Sequence, residues 1–203
     1  MIRLDIFSDP VCPWCLIGKL ELDRALESRP DHPMQIVWHP FRLNPQMPKG
    51  GMDRLDYLKM KPGAADAARA LAERAATMGL QLSPPTRQPD TTDAHRLMHW
   101  AGLEGAQSRV MSGLLRAHWQ EARDISDPGE LAKIGGAAGL DPAMIARLLE
   151  GDADRDEVET RELHARQRGI NSVPTFIIAD QHAVSGAQPA SMWQNVIDEL
   201  AGA

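Results

Sequence analysis

Apolar and polar positions alternate from the first residues. Ile2, Leu4 and Ile6 are apolar while Arg3 and Asp5 are polar, the period-2 pattern of a strand. Ser8-Asp9-Pro10 breaks that pattern, and a helical run follows over residues 13–27. Met34-Gln35-Ile36-Val37-Trp38-His39 reads as a second strand, stopped by Pro40 and an Asn44-Pro45 turn. Strand, helix and strand in that order imply a parallel βαβ unit with a right-handed crossover.

The middle of the chain is patterned differently. Residues 53–150 carry no convincing strand and several helices, over about residues 64–78, 92–101 and 106–123. Asp127-Pro128-Gly129-Glu130 has an N-cap, a proline at the first helical position and a capping glutamate, and Asp141-Pro142 repeats the start signal. Gly151 is a plausible stop, and a charged helix then runs to about Gly169. Strand character returns at Val173-Pro174-Thr175-Phe176-Ile177-Ile178, and His182-Ala183-Val184-Ser185 can pair back through an Asp180-Gln181 turn. A last helix over residues 190–200 puts Trp193, Val196, Ile197 and Leu200 on one face. The order is βαβ, a helical block, then αββα.

Composition narrows the function classes. The 203 residues are 43% hydrophobic and 25% charged, ordinary for a globular protein, and the formal charge of -6 argues against a nucleic-acid partner. Arg161, Arg166 and Arg168 are interleaved with Asp154, Asp156, Glu157, Glu159 and Glu162, which reads as a solvated helix face. No stretch approaches the roughly 20 apolar residues that span a bilayer, so no membrane association is expected. Arg3 and Asp5 interrupt the start and no apolar leader follows, so the expected compartment is the cytoplasm, where thiols are mostly kept reduced.

That compartment gives the sulfur its meaning. The chain has 2 cysteines, both in Cys12-Pro13-Trp14-Cys15 at the handover from strand to helix. Cys12 falls at the N-cap and Pro13 at the first helical position, where its missing N–H costs nothing. Free amides and the positive end of the helix dipole there favour a thiolate at Cys12. Cys15, one turn deeper, can attack a mixed disulfide at Cys12, making one thiol the nucleophile and the other the resolver. A zinc site built from Cys12 and Cys15 with His95 and His99, at i and i+4 on one helix, is the competing reading. Inert core thiols are the third, and fit poorly with Pro-Trp at a helix start.

Beyond the Cys-x-x-Cys pair, four stretches carry a resemblance. They are Asp9-Pro10-Val11-Cys12-Pro13-Trp14-Cys15-Leu16-Ile17-Gly18, Trp38-His39-Pro40-Phe41-Arg42-Leu43-Asn44-Pro45, Thr92-Asp93-Ala94-His95-Arg96-Leu97 and Val184-Ser185-Gly186-Ala187-Gln188. Together they resemble the FrnE-like cytoplasmic dithiol oxidoreductases of the DsbA family, in the thioredoxin superfamily. The resemblance implies an α/β, thioredoxin-like fold formed by residues 1–48 and 153–203, with a large all-helical insertion at 49–152. It implies a cis Pro174 beside Cys12, with Val173 backbone groups free to pair with an extended substrate. It also places His39, Phe41 and Asn44 at the border of the active site. Relatives commonly carry Asn, Glu and Gly where this chain has Asp90, Arg42 and Ser172.

The expected function is thiol–disulfide exchange or isomerisation through Cys12 and Cys15, shaped by Pro13, Trp14, Val173 and Pro174. The substrates are protein or small-molecule thiols and disulfides. No metal and no organic cofactor is expected beyond a thiol pool such as glutathione, and the chain is a monomer or homodimer. Some relatives, the chromene-carboxylate isomerases and kappa-class glutathione transferases, use serine at the Cys12 position. A glutathione-dependent isomerase or transferase is therefore the runner-up, and a non-catalytic zinc-binding module the third class. His95 is read as a packing or hydrogen-bonding residue with a candidate substrate role, and His99 as a helix-surface residue. His118, Trp119, Met98, Met111 and Met144 are assigned to the core of the insert.

Overall fold

The computed structural model describes residues 1–202. Alternating strand β1 (Ile2–Ser8) runs into helix α1 (Pro13–Glu27) and returns as β2 (Met34–Pro40), which pairs parallel to β1 with Ile2 opposite Met34. At the other end, β5 (Thr175–Ile178) lies antiparallel to β1, and β6 (His182–Ser185) antiparallel to β5. The sheet order is therefore β2-β1-β5-β6, with both edges formed by strands that close the chain's two halves.

Period-2 alternation gives the sheet two apolar faces. Leu4, Ile6, Phe176 and Ile178 point to one side, where α1 and the last helix α9 (Ala190–Ala201) cover them and Trp193 meets Phe176 edge-on at 4.7 Å. Within α9, Trp193 and Ile197 are buried and Val196 and Leu200 pack partly against the same core. Phe7 and Ile177 point to the opposite side and meet Phe41, Ala165 and Ile170.

Ala165 lies on α8 (Arg155–Gln167), the charged helix, which is not simply a solvated face. Glu162 is 3% exposed and takes Arg42 Nε at 2.6 Å, while Arg166 donates to both Glu162 and the Arg42 carbonyl. Arg42 also donates to Thr92 Oγ1 at 2.9 Å, at the start of α4 (Thr92–Leu103). Interleaved charge in the sequence hid a buried ion pair because the partner, Arg42, lies 120 residues away.

Between the halves stand α2 (Arg54–Lys59), α3 (Ala64–Thr77), α4, α5 (Gln107–Trp119), α6 (Pro128–Ala137) and α7 (Pro142–Glu150). The expected absence of strands is corrected by β3 (Met52–Asp53) and β4 (Arg87–Gln88), an antiparallel pair of two residues each, too short to show a period. Helix α2 was also invisible to periodicity, and Asp53 caps it by accepting from the Leu55 and Asp56 amides. Asp127 and Asp141 cap α6 and α7 as expected, but Glu130 turns to Arg123 and Lys133 and does not close a capping box. Gly151 ends α7 as expected, in an extended conformation. Met98, Met111, His118 and Trp119 are buried, whereas Met144 is 50% exposed, a correction to its assignment to the core.

One continuous apolar cluster joins the two parts: Cys12, Cys15 and Leu16 of the sheet side pack in the same core as Leu97, Met111 and Leu114 of the insert. Removing one member of the buried ion pair tests the junction directly. Glu162→Ala leaves Arg42 desolvated without its carboxylate, and should lower unfolding stability by about 3 kcal/mol. A denaturant titration with unchanged slope checks this; a shift below about 0.5 kcal/mol would show that the pair is dispensable.

Candidate active site

Cys12 is the N-cap residue of α1, with extended backbone (φ -86°, ψ 118°) and Pro13 next to it. The turn that delivers it is closed by Cys12 N–H donating to the Asp9 carbonyl at 2.9 Å. Two further bonds fix that turn from outside: Trp119 Nε1 donates to the Pro10 carbonyl at 3.1 Å, and the Leu43 amide donates to Asp9 Oδ2 at 2.7 Å. Asp9 also accepts from the Val11 amide at 3.5 Å, an Asx-type turn. The sequence assigned Trp119 only to the core of the insert, and gave Ser8 and Asp9 no place at the site. The available signal for Asp9 was an Asp-Pro dipeptide two residues before a fixed backbone amide, which sequence reading treated only as a strand breaker.

The Cys12 thiol makes no bond to the free amides of α1 and instead donates to the Val173 carbonyl oxygen at 3.5 Å. The Val173-Pro174 bond is cis, as the resemblance implied, and Pro174 is buried beside α1. Gly18 permits that approach: a Cβ there would stand 3.1 Å from Pro174 Cγ and 3.4 Å from Phe176 Cζ. Trp14 is half-buried and packs at the margin of the core.

Cys15 is 2% exposed, and both thiols are free. Burial pushes the Cys15 thiol well above the ordinary range, and the neighbouring Cys12 pushes it further. The Ser8 hydroxyl and the Asp9 backbone N–H face its sulfur and pull the other way without prevailing. The two thiols differ in setting more than in exposure: Cys12, itself only 4% exposed, sits at the helix start beside the Val173 carbonyl, while Cys15 lies one turn deeper and burial raises its thiol.

The remaining expected residues separate. His39 lies on the α8 face of the sheet, stacked on Phe7 at 4.7 Å, 2.5 Å from Asp5 Oδ1 and within 3.2 Å of Arg161. Burial lowers its pKa despite Asp5, with Arg161 and Arg3 lowering it too. Phe41 is core, 1% exposed, with the Arg166 guanidinium 4.1 Å over its ring. Asn44 donates to the Tyr57 hydroxyl and accepts from Lys61, joining the end of β2 to α2. His95 is buried with Nε2 3.7 Å from Asp9 Oδ1, immediately behind the cysteine turn. His99 is partly exposed and 4.0 Å from Asp154. Among the described residues no three or more His, Cys, Asp or Glu side chains gather closely enough to hold a metal ion, so Cys12, Cys15, His95 and His99 do not form a zinc site. No helix among them is long and apolar enough to cross a membrane.

Comparison with known proteins agrees with this geometry. Residues 3–198 match the family model of the DSBA-like thioredoxin domain. An uncharacterised Bacillus subtilis protein, YwbO, is 26% identical over 201 residues, covering 98% of this chain and 96% of that protein. A crystal structure of a probable DsbA oxidoreductase from Streptomyces coelicolor superposes with a TM-score of 0.86 at 30% identity, covering 100% of this chain and 91% of that one. The cytosolic disulfide reductase DsbM from Pseudomonas aeruginosa, solved with GSH, gives a TM-score of 0.69 at 18% identity, covering 99% and 100%.

The raised Cys15 thiol ties stability to pH with a definite sign. The folded state holds that proton more tightly than the unfolded chain, so its contribution is complete below about pH 8.5 and is lost as pH rises through the folded value. Reduced wild-type protein should therefore lose more stability between neutral and alkaline pH than Cys15→Ala does. Denaturant midpoints for both, measured across that range under reducing conditions, check it; parallel curves would mean that the buried thiol carries no such linkage.

Proposed function

The chain belongs to the DsbA-like thioredoxin family of thiol–disulfide oxidoreductases, and from that premise we propose that it exchanges disulfides through the Cys12–Cys15 dithiol, as an oxidoreductase or isomerase of the FrnE-like kind. The observation that carries the reading is the placement of the pair: Cys12 at the start of α1, 3.5 Å from the Val173 carbonyl, with Cys15 one turn deeper and both thiols free and buried.

The steps follow from that placement. Cys12 Sγ attacks one sulfur of a substrate disulfide and forms a mixed disulfide, and one substrate thiolate leaves. Cys15 loses its proton and attacks Cys12 Sγ, which closes the Cys12–Cys15 bond and releases the second substrate thiol. Run backwards, the same steps oxidise a substrate dithiol. Val173 offers its backbone to an extended substrate segment, and Pro174 and Trp14 border the sulfur. A thiol pool such as glutathione regenerates the dithiol, and the neighbour solved with GSH is consistent with a thiol of that size. Cysteine at position 12 favours dithiol exchange over glutathione-assisted isomerisation of the serine-using relatives. We place the exchange in the cytoplasm, since the chain has no cysteine beyond the pair for the structural disulfides common outside it.

Reduction of a model protein disulfide by the purified chain, with glutathione as the regenerating thiol, tests the reading. Cys12→Ser should fall to the rate of glutathione alone, and Cys15→Ser should accumulate a mixed disulfide visible by mass. Full activity in Cys12→Ser would sink it. The equilibrium potential against a glutathione buffer then gives the direction: near about -270 mV for a reductant, near about -120 mV for an oxidant.

A further inference from the structure

The open edge of β2 leads into a crevice that borders neither cysteine. We propose that this crevice receives the carboxylate end of an extended peptide, which pairs with the Ile36 backbone and closes on the Arg161 guanidinium. The inference goes beyond the exchange reading and depends on neither thiol.

The backbone supplies the first half of the site. β2 stands at the end of the order β2-β1-β5-β6, so one side of it has no strand beside it. In a strand paired in parallel, the amide and carbonyl of one residue face the same side, and every second residue faces alike. Gln107 accepts from the Trp38 amide at 3.0 Å and donates to the Trp38 carbonyl at 3.2 Å, so Trp38 faces outward. Ile36, two residues earlier, faces outward too, and neither its amide nor its carbonyl has a partner among the described residues. A strand added to this edge can therefore pair with Ile36 but must stop at Gln107. A crevice of about 380 Å³ runs along the same stretch, lined by Ile36, Val37, His99, Leu103, Gln107 and Arg161 among others. That volume falls in the range of about 300–1,000 Å³ of ligand pockets. Leu103, 75% exposed, gives it an apolar wall.

Charge supplies the second half. Arg161 of α8 stands where the added strand must end: its Nη2 donates to His39 Nδ1 at 3.2 Å and, at 3.5 Å, to the Trp38 carbonyl. Its Nε and Nη1 have no protein partner among the described residues, and no carboxylate pairs with it there. Arg155 and Arg166 of the same helix each hold a carboxylate, with Asp152 and Glu162. Arg161 is half-buried; burial works against its charge and Arg3 repels it, while Glu157 and Asp5 attract it without pairing. Asp5 is committed to His39 and Arg3, and Asp154 accepts from Trp100 Nε1 while standing 4.0 Å from His99. No residue lining the crevice is acidic. A guanidinium keeps its charge and presents two parallel donors to a carboxylate, so an incoming carboxylate answers a cation that the fold leaves without a counterion.

Together the two halves select the ligand. A lone anion satisfies Arg161 but leaves the Ile36 amide and carbonyl unpaired. An internal strand satisfies Ile36 but brings no charge to the point where Gln107 stops it. A peptide carboxyl terminus running in the direction of β2 brings both, by strand addition that ends in carboxylate capture.

Titration of the nitrogen-15-labelled full chain, followed by its backbone amide resonances, tests this with three probes: N-acetyl-trialanine, its carboxamide, and acetate. The free acid should bind saturably, shift the Ile36 amide, and have a Kd at least tenfold below those of the carboxamide and acetate. Arg161→Gln should weaken the acid to the level of the carboxamide, and Cys12→Ser should bind it as wild type does. Equal binding of acid and carboxamide overturns the carboxylate's role, and equal binding of acid and acetate overturns the strand pairing. Absence of a saturable shift at Ile36 overturns the site altogether. If Arg161→Gln does not fold, the comparison of the three probes on wild type decides alone. Loss of disulfide exchange in Cys12→Ser with peptide binding intact separates this site from the exchange reading, whichever way that reading falls.

Discussion

Helix α1 begins at a residue whose side chain caps nothing. Pro13 removes one donor from the first turn, and Cys12 leaves the remaining amides without a side-chain acceptor, in contrast to the aspartates that open α2, α6 and α7. A helix start of this kind is held by its surroundings, and the surroundings here are specific. The Asp9 carbonyl takes the Cys12 amide, Trp119 takes the Pro10 carbonyl, and Leu43 fixes the Asp9 carboxylate. Each bond contributes only about 1 kcal/mol net, but the buried groups they satisfy would cost about 1–3 kcal/mol each if left unpaired. The position of the reactive sulfur depends on that arithmetic.

The supports in turn lead outward. Leu43 follows Arg42, whose guanidinium is locked between Glu162 of α8 and Thr92 of α4. The ion pair on the far side of the sheet therefore sets the strand end that holds Asp9, and the same α4 supplies His95 one turn later. Arg96, next to it and wholly buried, donates to the carbonyls of Leu148, Gly151 and Ala153 and so ties α4 to the end of α7 and the start of α8. The stretch Thr92 to Arg96 thus reaches Arg42, the cysteine turn and the α7–α8 junction through Thr92, His95 and Arg96. Its chemistry is split between anchoring, by Thr92 and Arg96, and the dry face behind the thiols, by His95.

What was legible in the sequence was local. The period of Ile2, Leu4 and Ile6, the proline after Cys12, and the aspartates before Pro128 and Pro142 each state their structure within four residues, and each stands as read. What was missed depends on partners distant in the chain. Glu162 looked solvated because Arg42 is 120 residues away, and Asp9 looked like a turn residue because His95 and Leu43 arrive only on folding. Met144 failed differently: its apolar character was real, but α7 turns it outward beside the half-buried Leu140 and Leu148. His39 shared a stretch with the cysteine motif's relatives, yet the sheet's alternation sends it to the opposite face from Trp38.

That alternation also explains why the insert shapes the surroundings of the cysteine turn. Trp38 faces the insert, and Gln107 caps the open edge of β2 by accepting from the Trp38 amide and donating to its carbonyl, as a neighbouring strand would. Trp38 Nε1 donates to Ser108 on the same helix. Without α4 and α5, the β2 edge, the Pro10 carbonyl and the Asp9 carboxylate would all face water, and Cys15 with them. A wet Cys15 would be open to every small oxidant in solution. The helical block therefore keeps the deeper thiol dry, and it is the burial of Cys15 that raises its thiol above the ordinary range.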